Sequence, residues 1–271
     1  MRDSEFEFIR SLVYEHSRIN LTPDKRELVS ARLGQRLRAH GFESLTDYCR
    51  LLQSPDSADE LENLIDVIST NHTFFFRETA HFDFLRDHVC PEMQARAATE
   101  CWSRFNVWSA ATSSGEEAYS IAITLAGCLP TWEWRVVGTD IARPVLARAK
   151  TGIYPKDALT KLNRDLVKQH FQRGYGPQEG KYRVKAALRD RVSFRQSNLL
   201  DRDVASYEAY HAIFCRNVMI YFDAATQQEL VARLTNRLVP GGYLFVGHSE
   251  SLTGIRHSLR VIRPAVYQRA R

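Results

Sequence analysis

Apolar residues recur at helical spacing through the first third of the chain, then give way to short apolar runs separated by helical stretches. Phe6, Ile9, Leu12 and Val13 share one helical face, and Val29, Leu33 and Leu37 share another. Thr22-Pro23-Asp24 supplies a cap followed by proline for the second helix, and Gly41 closes it. Ser44 is a cap for a third helix, and Pro55-Asp56 leads into a fourth that ends near Thr70. The pattern stays helical to about residue 85. It predicts an all-helical N-terminal domain over 1–85 with a linker to about 100.

Past Pro91 the texture alternates. Predicted strands are Phe105–Ala110, Arg135–Thr139, Val192–Gln196, Ala212–Cys215, Tyr243–Gly247 and Ala265–Gln268. Between them fall predicted helices Glu116–Leu129, Pro144–Lys150 and Ala224–Leu238. Strands separated by helices of this length imply right-handed crossovers and a mainly parallel, doubly wound α/β sheet over 101–271. Val261-Ile262 and Val266-Tyr267 flank Pro264 and are expected to return antiparallel. Gln172–Lys185, punctuated by Gly174, Gly176, Pro177 and Gly180, reads as a small antiparallel β-subdomain inserted at about 172–190.

Composition narrows the class. The chain has 271 residues, 44% hydrophobic and 25% charged, as a globular protein with a sizeable core requires. No stretch approaches the roughly 18 apolar residues of a membrane span, and the acidic residues among the first twenty do not resemble a signal peptide. The expectation is a cytoplasmic protein without membrane insertion. Five scattered cysteines without CxxC spacing read as free thiols, with no metal. Net charge is +5, yet residues 1–70 carry nine Lys/Arg against thirteen Asp/Glu, whereas residues 164–195 carry nine against three. Such a basic stretch suits an acidic protein partner as well as nucleic acid.

Candidate chemistry clusters at the ends of predicted strands. In Thr70–Glu78, hydrogen-bonding residues and a cation bracket three phenylalanines, the lining expected for a ligand partly apolar and partly charged. The first strand runs into Ser109–Glu117, a loop of small residues with one glycine, so it lacks the glycine-rich dinucleotide fingerprint. The Glu pair that follows favours the helix dipole and repels a pyrophosphate, but suits an ammonium or sulfonium. Asp140 ends the second strand, where an acid either accepts from both hydroxyls of a ribose or caps the next helix. Asn198-Leu199-Leu200 offers an amide and an apolar wall to an adenine, and Cys215–Phe222 places polar residues and an aromatic pair at the same crevice. Together these outline a nucleoside site with an anionic rim, which suits S-adenosylmethionine.

On these motifs, with Gly138–Asp140 and Pro240–Glu250 in order, the chain resembles the CheR family, bacterial chemoreceptor glutamate O-methyltransferases, along nearly its whole length. The resemblance implies a Rossmann-like S-adenosylmethionine-binding domain with a helical N-terminal lobe. It further implies cofactor contacts from Asn71, Thr73, Arg77, Glu117, Asp140, Asn198, Leu199, Arg216 and Asn217, with Tyr221 near the transferred methyl. Arg77 and Tyr221 are the expected catalytic pair, one positioning anions and one orienting the acceptor oxygen. One departure is local: Ala111-Thr112 stands where many relatives have Gly-Cys.

The implied partner is a chemoreceptor cytoplasmic helix bearing glutamates. Lys25, Arg32 and Arg36 form a basic stripe suited to dock it. Arg173, Gly174, Gly176, Gly180 and Arg183 of the β-subdomain are the expected surface for a receptor's C-terminal pentapeptide. The expected protein is a monomer that binds no nucleic acid. Rival readings are a methyltransferase of RNA or a small molecule, and a non-catalytic adaptor for receptor tails.

Overall fold

A computed structural model describes residues 1–69, 71–201 and 209–271; Thr70 of the aromatic motif lies outside the described residues. Four helices open the chain: α1 (Asp3–Ser17), α2 (Arg26–His40), α3 (Leu45–Leu52) and α4 (Ala58–Ile68). Their apolar faces meet in one core that includes Phe6, Ile9, Val13, Val29, Leu33, Tyr48, Leu64 and Ile68. Gly41 ends α2 at φ 67°, a left-handed turn that glycine adopts without a Cβ penalty. Ser44 caps α3 by accepting from the Asp47 N–H.

The helical lobe stops earlier than the sequence pattern suggests. Residues 71–79 form an irregular crossing, and α5 (Ala80–Phe84) runs through one π turn (Leu85–Val89) into α6 (Cys90–Ala97). Phe82, Leu85, Val89 and Met93 of this segment pack into the core of the sheet, so residues 80–97 belong physically to the second domain. Helical periodicity marks a helix but not which core receives its face.

The second domain then runs β1 (Phe105–Ala110), α7 (Glu116–Cys128), β2 (Trp134–Asp140), α8 (Arg143–Thr151), β3 (Ile153–Pro155), α9 (Arg164–His170), β4 (Phe171–Arg173), β5 (Lys181–Val184), α10 (Ala186–Arg189), β6 (Val192–Gln196), β7 (Tyr210–Cys215), α11 (Ala224–Arg237), β8 (Leu238–Val246), β9 (Leu259–Arg263) and β10 (Val266–Arg269). The main sheet has order β6-β2-β1-β7-β8-β10-β9. Pairing is parallel from β6 to β8, and β10 returns antiparallel to both β8 and β9. Both faces are covered, so alternate residues of β7 and β8 feed two cores: Phe214 and Phe245 one side, Ile213 and Leu244 the other. The chain leaves β1 toward β2 on one side and returns to β7 on the other. That reversal opens a crevice at the carboxyl ends of β1, β2 and β7.

The inserted subdomain is larger than predicted. Its sheet has order β3-β5-β4, so it begins at Ile153 rather than near residue 172. A three-residue strand carries no period to read. Gly174 is needed for internal packing, since a Cβ there would lie 2.2 Å from the Gln178 carbonyl oxygen. Gly176 and Gly180 take φ of 57° and 77° with open space around them. All three glycines are thus explained by the hairpin's own turns.

Among the described residues no helix is long and apolar enough to cross a membrane. Glu60 is a buried charge of the helical lobe. It accepts from Arg36 Nε at 2.9 Å and from the Tyr48 hydroxyl at 2.6 Å, and its other oxygen lies 2.8 Å from His40 Nε2. Burial alone would raise the Glu60 carboxyl, but the bonds from Arg36, Tyr48 and His40 outweigh it and hold the group at about 2. Its stabilisation is therefore full above the ordinary value of 4.5 and is lost as pH falls from there toward 2. Glu60→Ala, which strands Arg36 and Tyr48, is expected to destabilise the lobe by about 3 kcal/mol in urea unfolding at neutral pH, with a smaller difference from the native protein at pH 3.

Candidate active site

The loop after β1 is shaped by backbone rather than by side chains. Ala111, Ser113 and Gly115 take φ of 66°, 52° and 95°, so three of its residues are left-handed. At Gly115 a Cβ would lie 2.8 Å from that of Ala149, which makes glycine obligatory. Ala111 holds a left-handed conformation where glycine is the unstrained choice, at a cost of about 1 kcal/mol. The Ala111-Thr112 departure therefore keeps the turn and adds strain.

Asp140 closes this loop against β2. Its Oδ2 accepts from the Ser113 N–H at 2.7 Å and its Oδ1 from the Ala142 N–H at 3.1 Å. A carboxylate has about four acceptor sites, so these backbone contacts leave capacity for a ligand hydroxyl. Burial raises the Asp140 carboxyl, partly offset by those backbone donors. The Glu pair at the start of α7 divides its labour. Glu116 turns to the Ser114 hydroxyl at 2.7 Å, whereas Glu117 faces the crevice.

Glu117 belongs to a buried charge network. Its Oε1 accepts from Ser109 Oγ at 2.7 Å, and its Oε2 pairs with Arg216 Nη1 at 3.1 Å. Arg216 Nη2 meets Glu78 Oε2 at 3.0 Å and also donates to the Arg77 carbonyl. The guanidinium carbon stands 5.6 Å over the Phe82 ring. Burial raises the Glu117 carboxyl, with Arg216 working against it. For Glu78 burial again pushes up, but Arg216 prevails and the carboxyl is held below its ordinary value. His81, 1% exposed, is driven down to about 3 by burial, then by the charge of Arg216, and stays neutral. Glu78, His81 and His248 offer ligand atoms within 4.8 Å of one another, but the cation of this cluster is Arg216, which already occupies Glu78.

Asn71, Thr73, Arg77, Glu117, Asp140, Asn198, Leu199, Arg216, Asn217 and Tyr221 all line one cleft. The structure thus brings together every predicted cofactor residue and both predicted catalytic residues. Arg77 donates to the His72 carbonyl at 3.0 Å, which anchors its guanidinium at the cleft. Of the three phenylalanines, Phe75 is core, edge-on to Tyr154 and Phe171. Phe76 packs on Phe82, and Phe74 alone lines the cleft.

Other predicted residues lie elsewhere. Lys25 and Arg32 line a neighbouring groove, and Arg32 donates to the Ile68 carbonyl. Arg36 does not complete the stripe, because Glu60 holds it inward with 18% exposure. Arg173 and Arg183 stand on the inserted sheet. Sequence reasoning missed Ser17 and Ile19, which bring the helical lobe to the cleft wall, and Glu78, which ties the motif to Arg216. Only tertiary contact reveals the first two; the place of Glu78 directly after Arg77 was a signal for the third.

Two carboxylates flank a single buried guanidinium here, with a third carboxylate beside a small-residue loop. With Arg77 beside them, the cleft offers carboxylates to a sulfonium and a ribose and a guanidinium to a carboxylate, so the fold and cleft suit an S-adenosylmethionine-dependent methyltransferase. Comparison with known proteins agrees. Residues 71–267 match the family described as CheR methyltransferase, SAM binding domain, and residues 4–69 its all-alpha domain. A chemotaxis protein methyltransferase of Escherichia coli is 40% identical over 269 residues, covering 98% of this chain and 91% of that protein. Those of Borreliella burgdorferi and Pseudomonas aeruginosa are 37% and 39% identical, covering 95% and 98% of this chain and 91% and 93% of theirs. The chain belongs to the CheR methyltransferase family, and its second domain is the S-adenosylmethionine-binding one. The family boundary at residues 69–71 coincides with the end of the helical lobe.

Glu117→Gln removes one carboxylate from the cleft while keeping its shape. By calorimetry it is expected to weaken S-adenosylmethionine about tenfold, the worth of roughly 1.4 kcal/mol. Unchanged affinity would mean that the anionic rim does not attract the donor.

Proposed function

We propose that this chain transfers a methyl group from S-adenosylmethionine to glutamate side-chain carboxylates on cytoplasmic helices of bacterial chemoreceptors. The observation that carries the reading is likeness to chemotaxis methyltransferases over nearly the full chain, combined with a cleft that adjoins a second groove. That groove shares Ile19, Tyr221 and Phe222 with the cleft and adds Lys25, Leu28, Arg32 and Ile220. Leu28 is 46% exposed and Ile220 52%, so the groove presents apolar anchors beside cations, the complement of an amphipathic, glutamate-bearing helix.

An acceptor glutamate, with an ordinary pKa near ~4.3, arrives already ionised, so no general base is required. S-adenosylmethionine supplies a sulfonium methyl, and an acceptor oxygen forms the new O–C bond as the C–S pair returns to sulfur. What remains for the protein is alignment and exclusion of water. In this reading Tyr221 directs the acceptor oxygen from the wall shared by cleft and groove, and Arg77 positions anionic groups. Arg173 and Arg183 on the inserted sheet, beside Tyr175 at 78% exposure, are the proposed surface for a receptor's acidic, aromatic-ended tail.

Incubation with methyl-labelled donor and receptor cytoplasmic fragments, with and without the C-terminal tail, tests the assignment. The expected product is a base-labile ester that releases methanol in mild alkali, formed faster when the tail is present. A base-stable product, or none, would reject glutamate O-methylation. Tyr221→Phe is expected to lower kcat about tenfold or more while leaving S-adenosylhomocysteine affinity within about threefold. Equal losses in both would remove the orienting role.

A further inference from the structure

Glu250 lies beyond the end of β8, outside the set of residues that line the cleft. It is 5% exposed, and among the described residues no ion pair with a lysine, arginine or histidine is found for it. Its carboxylate is satisfied by backbone instead. Oε2 accepts from the N–H of Asn217 at 2.5 Å and of Gly247 at 2.7 Å, and Oε1 accepts from those of Met219 at 2.7 Å and Ile220 at 3.4 Å. Three of these four donors belong to the loop between β7 and α11 that carries Asn217 and Tyr221.

Two further observations show that this contact shapes the loop. Asn217 takes φ of 58°, a left-handed turn that asparagine tolerates, and the turn aims its N–H at Glu250 Oε2. Gly247 is glycine because of the same clamp: a Cβ there would lie 2.6 Å from Glu250 Oε2 and 2.6 Å from Asn217 Nδ2. The far side of the loop is held separately. Gln227 Nε2 donates to the Met219 and Phe222 carbonyls at 2.9 and 3.1 Å, and the Tyr221 carbonyl accepts from Asn20 at 2.8 Å. Glu250 is therefore the inner of three fixings on a short segment whose side chains form one wall of the cleft.

We propose that Glu250 is a positioning residue for methyl transfer: its carboxylate fixes the Asn217–Phe222 loop so that Asn217 and Tyr221 are aligned at the cleft. The proposal rests on the reading in which Tyr221 orients the acceptor. A buried carboxylate suits the task because it offers about four acceptor sites without donors of its own, whereas glutamine would turn an NH2 toward two of the backbone N–H groups. Misplacement near 1 Å in such a segment costs on the order of 100-fold in rate.

The test uses the full chain with Glu250→Gln, Gly247→Ala and Tyr221→Phe, alone and with Glu250→Gln combined with Tyr221→Phe. Without any acceptor, hydrogen exchange over residues 217–222 is expected to accelerate about tenfold in Glu250→Gln and in Gly247→Ala, while the strands of the sheet stay protected. With a receptor fragment, kcat is expected to fall about 30- to 100-fold in both, with S-adenosylhomocysteine affinity within about fivefold and KM for the fragment little changed. In the Tyr221→Phe background, Glu250→Gln is expected to cost much less than it does alone, as coupled residues do. Unchanged exchange over 217–222, or a kcat loss matched by equal loss of folded protein or of cofactor affinity, would overturn the proposal. Fully additive effects would overturn action through Tyr221. A wild-type chain that methylates no receptor fragment would instead reject the functional reading, while the exchange measurement still judges the clamp.

Discussion

Arg216 between Glu78 and Glu117 is the arrangement on which the site depends. One guanidinium at the end of β7 joins the carboxylate of the irregular 71–79 crossing to that at the start of α7. Three segments distant in sequence are thereby fixed to within hydrogen-bond distance. Burying these charges is expensive singly, and each is offset only in the presence of the others. The network itself holds two carboxylates to one guanidinium, and Arg77 brings a second guanidinium to the cleft. Burial pushes Glu117 up, and a cationic ligand relieves that pressure directly.

Much of this was legible in the sequence, and for a physical reason. A doubly wound sheet places functional side chains just past the carboxyl ends of its strands, so finding a strand locates a candidate. Phe105–Ala110 leads to the small-residue loop, the second strand to Asp140, and the fourth to Arg216 and Asn217, all of which reach one cleft. At Asp140 the structure shows the loop and capping bonds from Ser113 and Ala142, and a carboxylate has acceptor sites enough for a ligand hydroxyl besides. At the Glu pair, sequence placed two carboxylates on the helix start, and only the structure separates Glu116, turned to Ser114, from Glu117, turned to Arg216.

What was not legible shares a different cause. Periodicity reports a face, not its partner, so α5 and α6 read as part of the helical lobe although Phe82 and Met93 complete the sheet's core. Arg36 shows the same limit. Its spacing from Lys25 and Arg32 suggested a common outward stripe, whereas Glu60, distant in sequence, draws it in. Glycines in the inserted sheet are ambiguous because turn geometry and ligand approach leave the same trace in a sequence. Ile153–Pro155, the third strand there, is too short to show alternation at all.

The helical lobe is more than an appendage, because it builds part of the cleft wall. The Tyr14 hydroxyl donates to Asp223 at 2.6 Å, directly before α11, and the Asn20 N–H donates to the Tyr221 carbonyl at 2.8 Å. On the opposite rim Asn198 Nδ2 donates to the His16 carbonyl at 3.0 Å. The end of α1 therefore spans the cleft from the third parallel strand's loop to the fourth's. Tyr221 is gripped from the lobe on one side while the rest of its loop is gripped from within the sheet domain. A residue held by both domains reports on their relative placement, so the geometry offered to an incoming side chain is set jointly by the two. The groove and the cleft share Ile19, Tyr221 and Phe222, so in the proposed reading one strip of surface serves both recognition of the acceptor and alignment of the reacting groups.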